Sequence, residues 1–473
     1  MADTTTKVAQ GAQPAMQASL EFENATYRKV TVRLMPFLIL CYLVAYLDRV
    51  NVGFAKLQML TDLRFSETVY GLGAGIFFIG YFFFEVPSNM ILHRVGARVW
   101  IARIMITWGV ISALTLFVKT PFQFYAIRFL LGAAEAGFFP GIILYLTYWF
   151  PAHRRAKMTG AFMVGIPMAG IIGGPLSGSI MAFTHGLFGW HGWKWMFLLE
   201  AVPAFIVGVA CMFYLDSRVR DAKWLSEQEK QIVEGDIAAE SQQKKEHPSL
   251  LAVFSDARIW LMCWIYFTCS LGQYALTMWM PTLIKAAGIS SVLNIGLVTA
   301  IPYICVAISM VALGASADRH RERRWHAGGP LIIGAITLVL SMMAGTHTTL
   351  AIILLSIAAA GIIPASPMFW AIPTSFLAGT AAAAGIATIN SVANLGGFVA
   401  PAVVGYLKDV THTNLIPMIV MAVIVCAGDL PRLACLSQST SSGLSYTFPT
   451  KPAHRIAMSR FVLFGAQEKP LSS

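Results

Sequence analysis

Apolar stretches of about 20 residues, the length needed to cross a bilayer as a helix, recur from one end of this 473-residue sequence to the other. They lie near 34–55, 70–91, 99–118, 122–149, 157–183, 194–215, 258–284, 291–315, 328–345, 348–370 and 381–407, with a weaker last one at 414–427. Such segments cannot be folded into a water-exposed globule, because 57% of the chain is hydrophobic and only 12% charged, about half the charge of a soluble domain. A spanning β-barrel would show alternating strands of about ten residues instead. The expected class is therefore an all-α membrane protein of about twelve transmembrane helices, the last short or damaged.

The net charge of +11 does not point to nucleic acid, because the basic residues are confined to alternate loops. Arg28, Lys29 and Arg33 precede the first span. His93, Arg94 and Arg98 follow the second, and Arg154, Arg155 and Lys157 follow the fourth. The 216–257 segment follows the sixth, and Arg319, Arg321, Arg323 and Arg324 follow the eighth. Positive loops stay in the cytoplasm, which puts the N-terminus and residues 216–257 there. The first 30 residues show no cleavable leader and read as a disordered polar tail. The seven cysteines are scattered without metal-ligand spacing, as expected for small buried side chains, so no metal is expected.

Residues 216–257 interrupt the hydropathy, and LSEQEKQIVEGD within them predicts a short helix capped by Ser226 with Glu229 at its third position. The expected organisation is a tail (1–30), a first six-helix bundle (31–215), a linker (216–257), a second six-helix bundle (258–428) and an atypical tail (429–473). The halves echo one another. HRVGARVW at 93–100 and ADRHRERRW at 317–325 are basic loops about 225 residues apart, as are the glycine-rich GIIGGPLSG (170–178) and NLGGFVAPAVVG (394–405). Small residues allow close helix approach, and two parallel six-helix repeats with a midplane site are an established transporter layout.

Charges at membrane depth cost at least a few kcal/mol each and mark function. They are Asp48, Arg49, Glu85, Arg128, Glu135 and Glu200, all in the first half. The second half offers Gln273, Tyr274, Ser366, Asn390 and Asn394 instead. Adjacent residues diverge by about 100° on a helix, so Asp48 and Arg49 need different partners. Arg128 and Glu135, seven apart, share a face, as do Tyr46 with Arg49 and Tyr81 with Glu85. An arginine presents a fixed fork suited to a carboxylate, which makes Arg49 the first candidate for holding an organic anion. A carboxyl poised between desolvation and a nearby cation can load and release a proton, a role open to Asp48 and Glu135, with Arg128 tuning them. Structural alternatives stand beside these: an Asp48–Arg128 ion pair, Glu85 satisfying backbone near Pro87, Glu200 favouring a helix dipole, and Trp370 as packing. No phosphate-binding loop or spaced set of oxygen ligands for sodium is evident, and no nucleophile with a base, so the chain is not expected to be an enzyme or to use a cofactor.

YLDRVNVGFA, FEVPSNMILHRVGAR, RFLLGAAEAGFFPG, YWFPAHRRAK and FWAIPTSFLAG, in this order, resemble the anion:cation symporter family of the major facilitator superfamily, over residues 28 to 420. The resemblance implies two six-helix bundles related by a pseudo-two-fold, alternating access, a small organic anion as substrate, protons as coupling ion, and a monomer in a bacterial inner membrane. It implies substrate contacts from Arg49, Tyr81, Asn390 and Asn394, with Gln273, Ser366 and Trp370 as looser matches, and proton coupling through Asp48 and Glu135. The second-helix loop departs from the usual GxxxDR pattern; Arg94 and Arg98 there, with Asp318 and Arg319 after the eighth helix, are the expected cytoplasmic gate. Where some sugar-acid members carry a polar fifth-helix residue, MVGIPMAG is apolar, which favours a smaller or more aromatic carboxylate over a heavily hydroxylated sugar acid. The alternative to transport is a sensor that binds the same anion without moving it. The last apolar run, LIPMIVMAVIVCAG, is only about 21 Å long as a helix, and the composition after it suggests a truncation or frame change near residue 427.

Overall fold

The computed structural model describes residues 2–243, 256–320, 324–345, 347–370 and 379–441. Its regular structure is helical, with no strand among the described residues. The first half comprises α1 (Ala2–Leu63), α2 (Glu67–Val95), α3 (Ala97–Leu114), α4 (Pro121–Glu135), α5 (Phe138–Trp149), α6 (Ala152–Met163), α7 (Gly165–Phe183) and α8 (Gly192–Tyr214). The linker contributes α9 (Glu227–Gln243). The second half comprises α10 (Ala257–Ala286), α11 (Val292–His320), α12 (Arg324–Met343), α13 (Thr348–Ile362), α14 (Ala365–Phe369), α15 (Gly379–Thr411) and α16 (Leu415–Ser441). Eleven helical segments are long and apolar enough to cross a membrane, and Leu415–Leu430 is a shorter apolar twelfth.

The pseudo-symmetry is legible in the packing. In the first half α1 packs on α7 and α2 on α4; in the second, α10 packs on α15 and α11 on α13. Across the seam α2 meets α15 and α7 meets α11, the same pair of roles exchanged between halves. Glycines make the crossings possible: a Cβ on Gly174 of α7 would lie 2.8 Å from the Gly296 carbonyl oxygen of α11, and one on Gly75 of α2 would lie 2.7 Å from that of Phe398 on α15. Trp108, Trp149, Trp193 and Trp279 are wholly buried, while Phe83, Phe213 and Val311 stand on the outer surface, the arrangement expected where lipid rather than water is the solvent.

Three elements differ from expectation. The N-terminal tail is helical: α1 begins at Ala2, and Tyr27, Val30 and Leu34 are already buried. Its polar residues are anchored rather than free, with Tyr27 donating to Asp236 at 2.9 Å, Lys29 paired with Glu229 at 2.9 Å and Arg154 bonding Glu23 at 2.9 Å. The fourth span is broken after Glu135, where Gly137 adopts φ +85°, a left-handed conformation that favours glycine. The last helix does not stop at residue 428 but runs to Ser441. The linker helix has the expected cap: the Glu229 amide donates to Ser226 Oγ at 3.2 Å and the Ser226 amide to Glu229 Oε2 at 2.7 Å. Residues 244–255 and 442–473, the rest of the expected linker and tail, lie outside the described residues.

Candidate functional site

Arg49 sits on α1 at the seam, and its fork divides between the halves. One terminal nitrogen is ion-paired with Glu135 of α4, and the other donates to the Tyr274 hydroxyl of α10 at 3.3 Å. Its Nε is buried without a partner, so the guanidinium is not saturated. The break after Glu135 explains how that carboxylate reaches it: α4 ends there, and the chain resumes as α5 after a left-handed turn. The Tyr81 and Phe77 rings of α2 lie 5.6 and 5.5 Å from the guanidinium carbon, within range of cation–π attraction. Phe77 also receives Arg128, 5.0 Å away, so one ring lies against two cations of the half.

A second cluster adjoins the first across one residue of α10. Gln273 donates to the Tyr46 hydroxyl of α1 at 3.1 Å and accepts from Ser366 of α14 at 2.7 Å. Trp370 donates to Tyr266 at 3.1 Å, and Tyr266 stacks on Phe369 with ring centroids 4.6 Å apart. Gln273, Ser366 and Trp370 therefore belong to one polar and aromatic lining of the second half, and Trp370 is hydrogen-bonded rather than mere packing. Asn390 of α15 donates to Glu85 of α2 at 2.7 Å. Ser391 and Asn394 also interact with that carboxylate, although its Oε2 makes no close hydrogen bond. Glu85 thus spans the seam rather than satisfying backbone beside Pro87.

Asp48 turns the other way, as adjacency to Arg49 requires. It accepts from Asn51 at 3.0 Å and from Ser112 of α3. Arg128, wholly buried, gives its one hydrogen bond to the Ala74 carbonyl at 3.5 Å, so these two do not form the ion pair considered from sequence. Glu200 is in the third turn of α8, accepting from Ser177 of α7 at 2.6 Å. It is not near the helix start, which removes the helix-dipole explanation. Arg94, Arg98, Asp318 and Arg319, the expected gate, are all exposed.

A described ion pair across the seam lies at the opposite end of α2, at Glu67. Glu67 holds Lys408 of α15 at 2.7 Å and is ion-paired with Lys56 of α1 at 2.6 Å. Asp409 accepts from the Thr68 amide at 2.7 Å and the Glu67 amide at 3.1 Å. Lys56 is buried and covered by the Trp279 ring 4.3 Å away. Sequence reasoning missed this cluster because its members look like ordinary span-end charges. It also missed Asn51 and Ser112, and it singled out Tyr274 only as a polar group at membrane depth, without its Arg49 partner; Asn51 follows Asp48 by three residues, one turn, which was a readable signal.

A family model described as Major Facilitator Superfamily matches residues 38–401. "Putative metabolite transport protein NicT" of Pseudomonas putida is 50% identical over 392 residues, 83% of this chain and 90% of that protein. A "Putative tartrate transporter" of Agrobacterium vitis is 50% identical over the same shares. The inner membrane transport protein RhmT of Escherichia coli is 37% identical over 86% of this chain and 94% of that protein. The partially occluded inward-open structure of the xylose transporter XylE from E. coli shares the fold, with TM-score 0.63, 14% identity and coverage of 85% and 96%. Two pseudo-symmetric helical halves meeting at a buried polar seam, with these relatives spanning nearly their whole length, make the chain a member of the Major Facilitator Superfamily: a multi-pass membrane transporter, not an enzyme.

Proposed function

We propose that this transporter carries a small organic anion together with protons, by alternating access, into a bacterial cell across its inner membrane. The observation that supports it best is the divided fork of Arg49, which binds an acid of one half and a phenol of the other. A substrate carboxylate offers Arg49 two oxygens in the geometry a guanidinium prefers. Accepting it displaces Glu135, and a buried carboxylate left without its cation is costly. Taking up a proton removes that cost, so one anion entering at Arg49 brings one proton to Glu135. When the anion leaves, Glu135 releases the proton and the pair re-forms. Asp48, on the neighbouring face, is the second proton-carrying candidate, and Arg128 acts on both through space.

Tyr81, Gln273, Ser366, Trp370, Asn390 and Asn394 supply neutral contacts around the anion. The apolar packing of α7, where Gly165 faces Tyr42 and Gly170 faces Tyr303, favours a small or aromatic carboxylate; the name of the A. vitis relative makes tartrate the first substrate to try. With the N-terminus cytoplasmic, the Lys56–Glu67–Lys408 cluster closes the outer face and Arg94, Arg98, Asp318 and Arg319 surround the inner one.

The test is uptake into proteoliposomes from a panel of tartrate, aromatic acids, sugar acids and dicarboxylates. Acidifying the outside should drive accumulation of at least one of them. Uptake that ignores the proton gradient would remove the coupling, and binding with no flux would favour a sensor.

A further inference from the structure

Behind Arg49, inside the first half, Asp48 faces a second buried acid, Glu200, which the exchange described above does not use. Asp48 of α1 and Glu200 of α8 are each buried, 3% and 4% exposed. Asn51, wholly buried, lies between them: its amide donates to Asp48 at 3.0 Å and also interacts with the Glu200 carboxyl. Ser112 and Ser177 each donate to one oxygen of the pair. That leaves three oxygens, Asp48 Oδ2, Glu200 Oε2 and Asn51 Oδ1, buried with no donor. Orphaned acceptors at such depth are costly, and two ionised carboxylates sharing a site repel.

Nearby cations relieve this only in part. Arg128 attracts Asp48 while Glu135 repels it, and Glu200 faces Ser177, Asn51 and Asp48. Among the other charged or titratable groups on the helices packed against α8, Arg33 is engaged with Tyr214, Cys41 with Cys211, Arg49 with Glu135, Lys56 with Glu67, Arg103 with Trp100, Asp62 with Trp193 and Tyr46 with Gln273; Tyr42 packs on Phe162, and Arg98 is exposed. The missing element is a donor hydrogen. We propose that Asp48 and Glu200 share one proton across Asn51, so that Glu200 is a positioning residue that sets the charge of Asp48. One proton gives the cluster an O–H for an orphaned oxygen and reduces its charge from two negatives to one. The proton comes from water and returns to it, with no other bond made or broken. The inference uses Asp48 but does not require that transport be proton-driven.

Infrared difference spectroscopy on the full-length protein in lipid tests it without transport. The carbonyl band of a protonated, buried carboxylic acid, shifted by deuterium oxide, is expected at neutral pH without substrate. Glu200→Gln, which can keep the Ser177 contact, should abolish or shift that band, whereas Glu135→Gln should leave it in place. Glu200→Asp should restore a band. A thermal melt within a few degrees of the parent certifies the fold of each variant; if Glu200→Gln fails it, Asn51→Leu, which removes the bridge, should shift the same band. Parent protein lacking the band, or a folded Glu200→Gln with the band unchanged, overturns the inference. Uptake by the parent protein that ignores the proton gradient, with the band intact, would instead count against Glu135 coupling alone.

Discussion

The Arg49 guanidinium and the Tyr274 hydroxyl meet at 3.3 Å across the seam between the two halves. Because Arg49 also pairs with Glu135, a single side chain senses the ionisation of one half and the position of the other. Any ligand that takes over Arg49 therefore alters both.

Arg49→Ala is expected to abolish substrate binding, and Arg49→Lys to lower affinity at least tenfold, because an ammonium cannot present two parallel donors. Stripping the partner from buried Glu135 should also cost about 3–5 kcal/mol of stability in the alanine variant. Radioligand binding and thermal melts, read together, separate the two effects; undiminished binding by Arg49→Ala would remove Arg49 from the site.

Glu135→Gln should retain exchange of substrate across the membrane and lose accumulation against a gradient. The amide can still occupy the end of α4, but it cannot cycle a proton. Counterflow beside gradient-driven uptake in the same vesicles checks this, and accumulation at the parental level would contradict it.

Tyr274→Phe removes one hydrogen bond to a charged group and little volume. Such bonds contribute about 1.5–3 kcal/mol, so transport affinity should shift by roughly tenfold or more through the altered Arg49. Melting temperature should move only slightly.

Glu67→Gln should loosen the end of the seam held by Lys56 and Lys408. Spin labels on the α1–α2 and α15–α16 connections are expected to show a longer distance component that the parent lacks. An unchanged distance distribution would mean that Asp409 and its bonds to the start of α2 suffice.

Gly174→Val should destabilise the α7–α11 crossing, since a Cβ there lies 2.8 Å from the Gly296 carbonyl oxygen; overpacking of this kind typically costs about 1–3 kcal/mol. Gly160→Val is the control, because a Cβ at Gly160 meets nothing within 4 Å. The folded yield in detergent should fall for the first and not for the second.

The sequence by itself determined the solvent, the number of crossings and the two-fold repeat, because length and hydropathy of each span are local properties set by the bilayer. It also determined that Asp48 and Arg49 must part company, since neighbouring residues on a helix cannot face the same way. The linker cap at Ser226 and Glu229 was readable for the same reason: its bonds span three residues. Partner choice was not local. That Arg49 meets Glu135 and Tyr274, that Glu85 crosses to Asn390, and that Glu200 approaches Asp48 depended on which helices pack and in what register. Those contacts join residues 86 to 305 positions apart, and only the folded protein brings them together.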